Sequence, residues 1–461
     1  MKKLSPRRRL ERNWILYDVG NSAFTLLIST IMPIYFNYLA GEGGIDATTA
    51  TAYWGYAASI VTLCVAILGP TLGTLSDFSG YKRPIFFFFA IAGVLGCAAL
   101  GIPMPWLVFL VVFILTKIFY SASLVFYDSM LVDVTTHERA DDVSSKGYAW
   151  GYIGSCIPFI ISIVIVQFTP LNIAVSMPIA LAINALWWFG FTIPLMKSYR
   201  QTHFVPRTPH AVRDNFKRLF SVFSKKSDVQ NKKGIILFLV AFFLYIDGVY
   251  TIIDMATSFG TALGFDSTNL LLALLLTQVI AFPSAIVFGK LTGKVRNDVL
   301  ILVCIVAYTG IGLFAVFMTE VWQFWTLATA VGLFQGGVQA LSRSYFAKII
   351  PADQSGCLFG ILDIFGKGAA FLGTLLVSVV TQATDSVNLG AIPIVCLFAA
   401  GIAVFVVAAR VNRPYLAKQA ADDAAAAANA PLADPAAEDT AEGEAAAAED
   451  TPAADGDGVS D

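Results

Sequence analysis

Charge is scarce in this chain: 13% of its 461 residues are Asp, Glu, Lys or Arg, while 57% are hydrophobic. A soluble domain carries about 25% charged and about 45–50% apolar residues. So little charge cannot cover so much apolar matter in water, and lipid is the expected solvent. Histidine is scarcer still. His137, His203 and His210 all lie outside the long apolar runs, which leaves no histidine cluster for a metal. The six cysteines, Cys64, Cys97, Cys156, Cys304, Cys357 and Cys396, sit inside apolar runs, and none forms a CxxC pair. That argues against a disulfide framework or zinc site and for small buried hydrophobes. HExxH, GxSxG and Walker A sequences are missing. A membrane-embedded enzyme and direct ATP-driven transport are therefore not expected, and neither is a cofactor. Lys and Arg are missing from residues 419–461, which hold 12 acids; the rest of the chain has 20 acids against 30 bases. A basic body suits nucleic acid or anionic lipid. Here the bases lie in short loops between apolar segments, so the lipid bilayer is the expected partner and nucleic acid is not.

Long apolar runs are what the chain has in abundance. Spans of about 20 residues, enough for a ~30 Å hydrocarbon layer, occur at 14–39, 49–73, 84–103, 105–133, 146–168, 171–196, 234–258, 268–290, 298–318, 321–347, 355–382 and 388–410. The predicted fold class is an all-α polytopic membrane protein with twelve transmembrane helices. The first run follows a basic start but continues past signal-peptide length without a small-residue cleavage site, so it reads as a retained helix. Six alternate connections, 40–48, 104, 169–170, 259–267, 319–320 and 383–387, contain no Lys or Arg. The other side holds 28 of the 30 bases, counting helix ends; the exceptions, Lys117 and Lys367, lie inside helices. The positive-inside rule then places both termini in the cytoplasm, and a bacterial source would make the membrane the plasma membrane.

The domain expectation follows: a basic cytoplasmic N-terminus over 1–13, a six-helix half over 14–196, a cytoplasmic linker over 197–233, a second half over 234–410, and an acidic Ala-rich disordered tail over 411–461. In the linker, Val212, Phe216, Leu219, Phe220 and Phe223 recur at helical spacing beside Arg213, Lys217, Arg218, Lys225 and Lys226, the pattern of an amphipathic helix on the membrane surface. The halves echo each other. Leu16-Tyr17-Asp18 in the first segment matches Leu244-Tyr245-Ile246-Asp247 in the seventh, and Gly-x-Leu opens the connection after the second and eighth segments at Gly73 and Gly289. Internal repeats with a solute site at their interface are the usual plan of secondary transporters.

Polar residues inside the spans are costly and therefore informative. The first segment carries Asp18, Asn21, Ser22, Thr25 and Ser29; the fourth carries Lys117, Ser121, Tyr127 and Asp128. The seventh carries Asp247, Tyr250, Thr251 and Asp254; the tenth carries Gln335, Gln339, Ser342 and Arg343. These are segments 1 and 4 of each half, and they predict a lined cavity. Asp363 and Lys367 stand four apart on the eleventh segment, spaced to pair with each other as a structural couple. Helical rise places Lys117 and Asp247 near mid-membrane, and Asp18 and Asp128 nearer the cytoplasm.

Residues Gly73 to Arg83, with Asp77, Gly80 and Lys82 between, resemble the Gly-x-Leu-x-Asp-x-x-Gly loop motif of the major facilitator superfamily. Trp14-Ile15-Leu16-Tyr17-Asp18 with Asn21-Ser22-Ala23-Phe24, Phe243-Leu244-Tyr245 with Asp247-Gly248, and Gly336-Gly337 with Gln339-Ala340-Leu341-Ser342-Arg343-Ser344 are similar to its vacuolar-effluxer branch over residues 12–410. Val19-Gly20 stands where Trp-Ala is expected, and Gly293 stands where an acid would complete the second-half loop motif. The resemblance implies the major facilitator fold, two pseudo-symmetric six-helix halves, and a monomer moving a small polar solute by alternating access with proton coupling. An amino acid is the expected solute, because the cavity stripes offer both signs of charge. On that reading Asp18, Asn21, Lys117, Asp128, Asp247, Gln339 and Arg343 contact solute or protons, while Asp77 latches the cytoplasmic face among Lys82, Arg83 and neighbouring helix ends. A non-transporting sensor or scaffold on the same fold is the competing reading; a large soluble signalling domain would favour it, and the sequence has none.

Overall fold

The computed structural model describes residues 5–206 and 230–429. Among them are twelve long helices. The first six are α1 (Pro6–Glu42), α2 (Ala47–Ser76), α3 (Lys82–Ala99), α4 (Trp106–Ser129), α5 (Ala140–Phe168) and α6 (Ile173–Ser198). The second six are α7 (Lys232–Ala262), α8 (Ser267–Leu291), α9 (Asn297–Val316), α10 (Val321–Ile349), α11 (Ser355–Thr384) and α12 (Ile392–Asn429). Eleven of the described helices are long and apolar enough to cross a membrane. The other, α10, carries Gln335, Gln339 and Arg343 among its glycines, and these polar residues lower its mean hydropathy.

Local chemistry sets the helix ends. Ser5 accepts a hydrogen bond from the Arg8 N–H, and Pro6 occupies the first position of α1, where its missing N–H costs nothing. The start of the chain, expected as a separate basic segment over 1–13, is therefore already helical from Pro6. Asp46 caps α2 through the Thr49 N–H at 3.0 Å, and Asn172 caps α6 through Ala174. The turns after α1 and α7 each need a left-handed residue and use glycine, Gly44 at φ 76° and Gly264 at φ 83°.

Two ends differ from expectation. The helix α12 continues to Asn429, where a disordered tail was expected from 411; the Ala-rich composition that suggested a tail also favours helix. The amphipathic helix expected over 212–226 and residues 430–461 of the acidic tail lie outside the described residues. The described residues up to Arg413 form one compact unit; residues 414–429 fall in a second, where Gln419 donates to the Tyr415 hydroxyl at 3.0 Å.

Within the first unit, α1 packs on α5 and α6, and α8 packs on α10. The halves meet along two seams, α2 on α11 and α5 on α8. The first seam is made by glycine. Gly69 and Gly73 of α2 face Gly356 and Gly360 of α11, a small-xxx-small pair on each side that brings backbones together. A Cβ on Gly73 would stand 2.2 Å from the Gly356 carbonyl oxygen, and one on Gly360 would stand 2.5 Å from that of Gly69. Outer helices turn large apolar side chains outward, including Phe87, Phe88 and Leu95 on α3, Leu186 on α6 and Val306 on α9. In a bilayer these faces meet acyl chains.

Gly73→Ala should cost this arrangement about 1–3 kcal/mol, because the clash is with backbone that cannot rotate away. Gly55→Ala on the same helix meets nothing within 4 Å and should stabilise by up to about 1 kcal/mol. Unfolding midpoints of the two purified variants check this, with the first expected below the parent and the second at or above it.

Candidate functional site

A cavity of about 740 Å³ lies between the halves. It is lined from α1 by Asp18, Asn21 and Ser29, from α4 by Lys117 and Asp128, and from α10 by Gln335, Gln339 and Arg343. From Asp18 to Pro33 the lining follows α1 for about 22 Å at the helical rise of 1.5 Å. Six of the seven residues predicted to contact solute or protons line it.

Arg343 is one of the charged residues that line the cavity. It belongs to α10 but is held by the first half. Its Nη1 lies 2.9 Å from Asp128 Oδ1 and its Nη2 lies 3.4 Å from Asp18 Oδ2. Its Nε donates to Ser144 Oγ at 2.9 Å, and Nη2 donates to the Ser144 carbonyl at 3.0 Å. The guanidinium carbon stands 4.6 Å from the Trp14 ring and 4.3 Å from the Tyr148 ring, so aromatic faces complete the cage. Arg343 is 5% exposed, and a charge so buried requires such partners. Trp14 is fixed in turn: it stacks on Tyr127 at 4.4 Å and donates to the Tyr127 carbonyl.

The repeat is visible in side chains. Tyr17 of α1 shares a hydrogen bond with Ser123 of α4 at 2.8 Å, and Tyr245 of α7 shares one with Ser342 of α10 at 2.7 Å. The repeat also explains why Asp247 does not belong to the cavity. Asp18 follows its tyrosine by one residue, whereas Asp247 follows by two, a further rotation of about 100°. Asp247 is fully buried against α11, where its Oδ1 accepts from the Gly373 N–H at 2.8 Å and from Thr251 Oγ1 at 3.3 Å. Asp247, expected to contact solute or protons, is therefore placed outside the cavity lining. Lys117 shares the cavity with Asp254, close enough for the two charges to interact. Tyr250 and Asp254, four apart, face the cavity, while Asp247 and Thr251, also four apart, face α11. The single stripe read from the sequence is two stripes on adjacent faces. Sequence reasoning also left Tyr148, Tyr152 and Gln278 out of the lining.

The end of the bundle that carries the basic loops is tied across the halves. Asp77, at the end of α2, is fully buried and caps α11: the Gly356 N–H reaches its Oδ1 at 2.7 Å and the Cys357 N–H its Oδ2 at 3.0 Å. A carboxylate at a helix N-terminus satisfies orphan donors and complements the dipole. These bonds reach the N-terminal backbone of α11, one of the neighbouring helix ends expected around Asp77. Lys82 is fully buried, donates to Ser355 Oγ at 2.8 Å and lies 3.7 Å from Asp133. Arg83 donates to the Met196 carbonyl. Gly80 donates its N–H to Gln201, and Val205 bonds the backbone at Asp77 and Ser79, so the segment after α6 is stitched to the loop. On the second seam Asp141 of α5 pairs with Lys348 at 2.5 Å and accepts from Asn297, while Ser144 donates to the Ala340 carbonyl. Asp363 and Lys367 form an ion pair within α11 at 2.5 Å.

Twelve helices in two halves around a polar interfacial cavity define a membrane transporter of the major facilitator superfamily. The chain belongs to the vacuole effluxer Atg22-like family, whose model matches residues 43–137 and 132–414. It is 41% identical over 402 residues to the uncharacterized MFS-type transporter YxiO of Bacillus subtilis (strain 168), covering 86% of this chain and 93% of that one. To Autophagy-related protein 22-1 of Aspergillus niger it is 28% identical over 267 residues, covering 52% of this chain and 42% of that relative's length. Its fold resembles the crystal structure of the human organic anion transporter MFSD10 with a TM-score of 0.68 at 13% identity, covering 87% of this chain and 100% of that one.

Arg343→Gln leaves Asp18 and Asp128 without their shared cation and should destabilise the protein by about 3–5 kcal/mol. Adding Asp18→Asn removes one stranded charge and should recover part of that loss. Thermal unfolding of the single and double variants in detergent checks both; a double variant no better than the single would mean that the two groups are not coupled.

Proposed function

We propose that this protein is a proton-coupled secondary transporter of a small zwitterionic solute, working as a monomer by alternating access with both termini in the cytoplasm. The observation that carries the reading is the cavity of about 740 Å³ beside a set of cross-half bonds at the basic-loop end. Loop charge supports the orientation, since basic loops stay in the cytoplasm. In this arrangement the cytoplasmic gate is shut. A solute carboxylate competes with Asp18 and Asp128 for Arg343, because guanidinium binds carboxylates through paired hydrogen bonds. A solute ammonium takes Asp254 or the released Asp128, with Lys117 as the opposing cation. Solute or proton thereby weakens the clasp that holds the halves, and a ligand moves such an equilibrium only through this kind of differential contact. The family description, vacuole effluxer, supports outward movement of solute from the compartment it serves.

Counterflow into liposomes containing the purified protein tests this reading with a panel of neutral amino acids, sugars and organic anions. A neutral amino acid should exchange, and the sugars should not. Asp254→Asn should slow proton-gradient-driven uptake by about 10–100-fold, the loss of one charge-assisted contact. Asp247→Asn keeps an acceptor for the Gly373 N–H and should leave uptake at the parental rate. Exchange of sugars alone, or full proton-driven uptake in Asp254→Asn, would contradict it.

A further inference from the structure

A second cavity, of about 160 Å³, lies away from the transport pathway between α9 and α12, at the basic-loop end. Its walls change character along its length. Toward the membrane they are apolar, with Val299 and Leu302 on α9 and Phe405 and Val406 on α12. At the interface they are basic, with Arg410 and Arg413. Arg296 stands beside them, bound to Asp298 through Nε at 3.0 Å and Nη2 at 2.5 Å. Asp298 is 7% exposed and also accepts from Arg413 Nε at 3.2 Å. This one carboxylate holds two arginines in place while leaving three positive charges against one negative. Arg296 and Arg413 remain about half exposed, at 56% and 51%, and exposed Arg410 makes no ion pair among the described residues.

We propose that this groove binds an anionic phospholipid, with its phosphate on Arg410, Arg413 and Arg296 and its acyl chain along Val299, Leu302 and Val406. Position and polarity select the occupant. A basic pocket between spanning helices at the cytoplasmic interface attracts anionic headgroups. A soluble anion would use the arginines but gain nothing from the apolar wall, whereas a zwitterionic lipid would fill the wall but gain less from the net charge. The volume is that of about five waters at ~30 Å³ each, room for a phosphate but not for a whole lipid, so the chains lie along the outer faces of the helices. A lipid there would bridge α9 and α12 at the ends that Asp298 joins.

Native mass spectrometry of the full-length protein in detergent, titrated with phosphatidylglycerol or phosphatidylcholine of matched chains, tests the proposal. Phosphatidylglycerol should bind more tightly. Arg410→Gln should weaken it about fivefold, and Arg410→Gln with Arg413→Gln about 25-fold, by the usual contribution of an interfacial arginine. Asp298 keeps Arg296 in both, so folding is preserved. Ala409→Phe, which fills the groove without changing charge, should also weaken binding. Arg200→Gln, an exposed arginine after α6, should leave it unchanged. Equal affinity for the two lipids, equal loss in Arg200→Gln, or displacement by millimolar glycerol 3-phosphate would overturn the proposal.

Discussion

Much of this structure depends on the cost of burying one guanidinium. Arg343 cannot lie at 5% exposure in a membrane protein unless carboxylates, hydroxyls and aromatic faces surround it. Those partners come from α1, α4 and α5 of the first half, while Arg343 itself comes from α10 of the second. The charge therefore ties the halves together. Two carboxylates, Asp18 and Asp128, share this one cation.

The two seams are held in different ways. At α2 and α11, four glycines let backbones touch, so Asp77 reaches the first N–H groups of α11. At α5 and α8, small residues perform the same approach, with Ser145 against Gly289, and the polar ties run from Asp141 of α5 to Asn297 of α9 and Lys348 of α10. Gly293, where the sequence lacks an acid, lies in the connection after α8, so the second seam has no carboxylate cap at that position. The ties between the halves are thus asymmetric although the scaffold repeats, as the matched Tyr17–Ser123 and Tyr245–Ser342 bonds show.

Much of this was legible in the sequence because lipid imposes simple rules. Twelve apolar runs and one-sided loop charge revealed the helices, and costly polar residues marked the cavity: Asp18, Asn21, Lys117, Asp128, Gln339 and Arg343 all line it. What escaped was the neighbour that each position meets. Asp247 and Asp254, seven residues apart on one helix, differ by only about 20° in phase but by about 10 Å along the axis, and at its own level Asp247 meets α11 while Asp254 meets the cavity. The partners of Asp77 were hidden for another reason. They are backbone N–H groups nearly 280 residues away, brought close by glycines whose effect is to leave space. The helical run past Arg413 was missed because alanine serves tail and helix equally well.

We propose that the bonds at the basic-loop end form a gate that opens when its buried charges are released. Spin labels at Arg200 and Lys294, both exposed at that end on opposite halves, report the gate directly through their distance distribution in liposomes. The parent protein should give one short distance, and a second, longer population should appear when Asp77→Asn weakens the cap on α11. An unchanged single distance in that variant would contradict it.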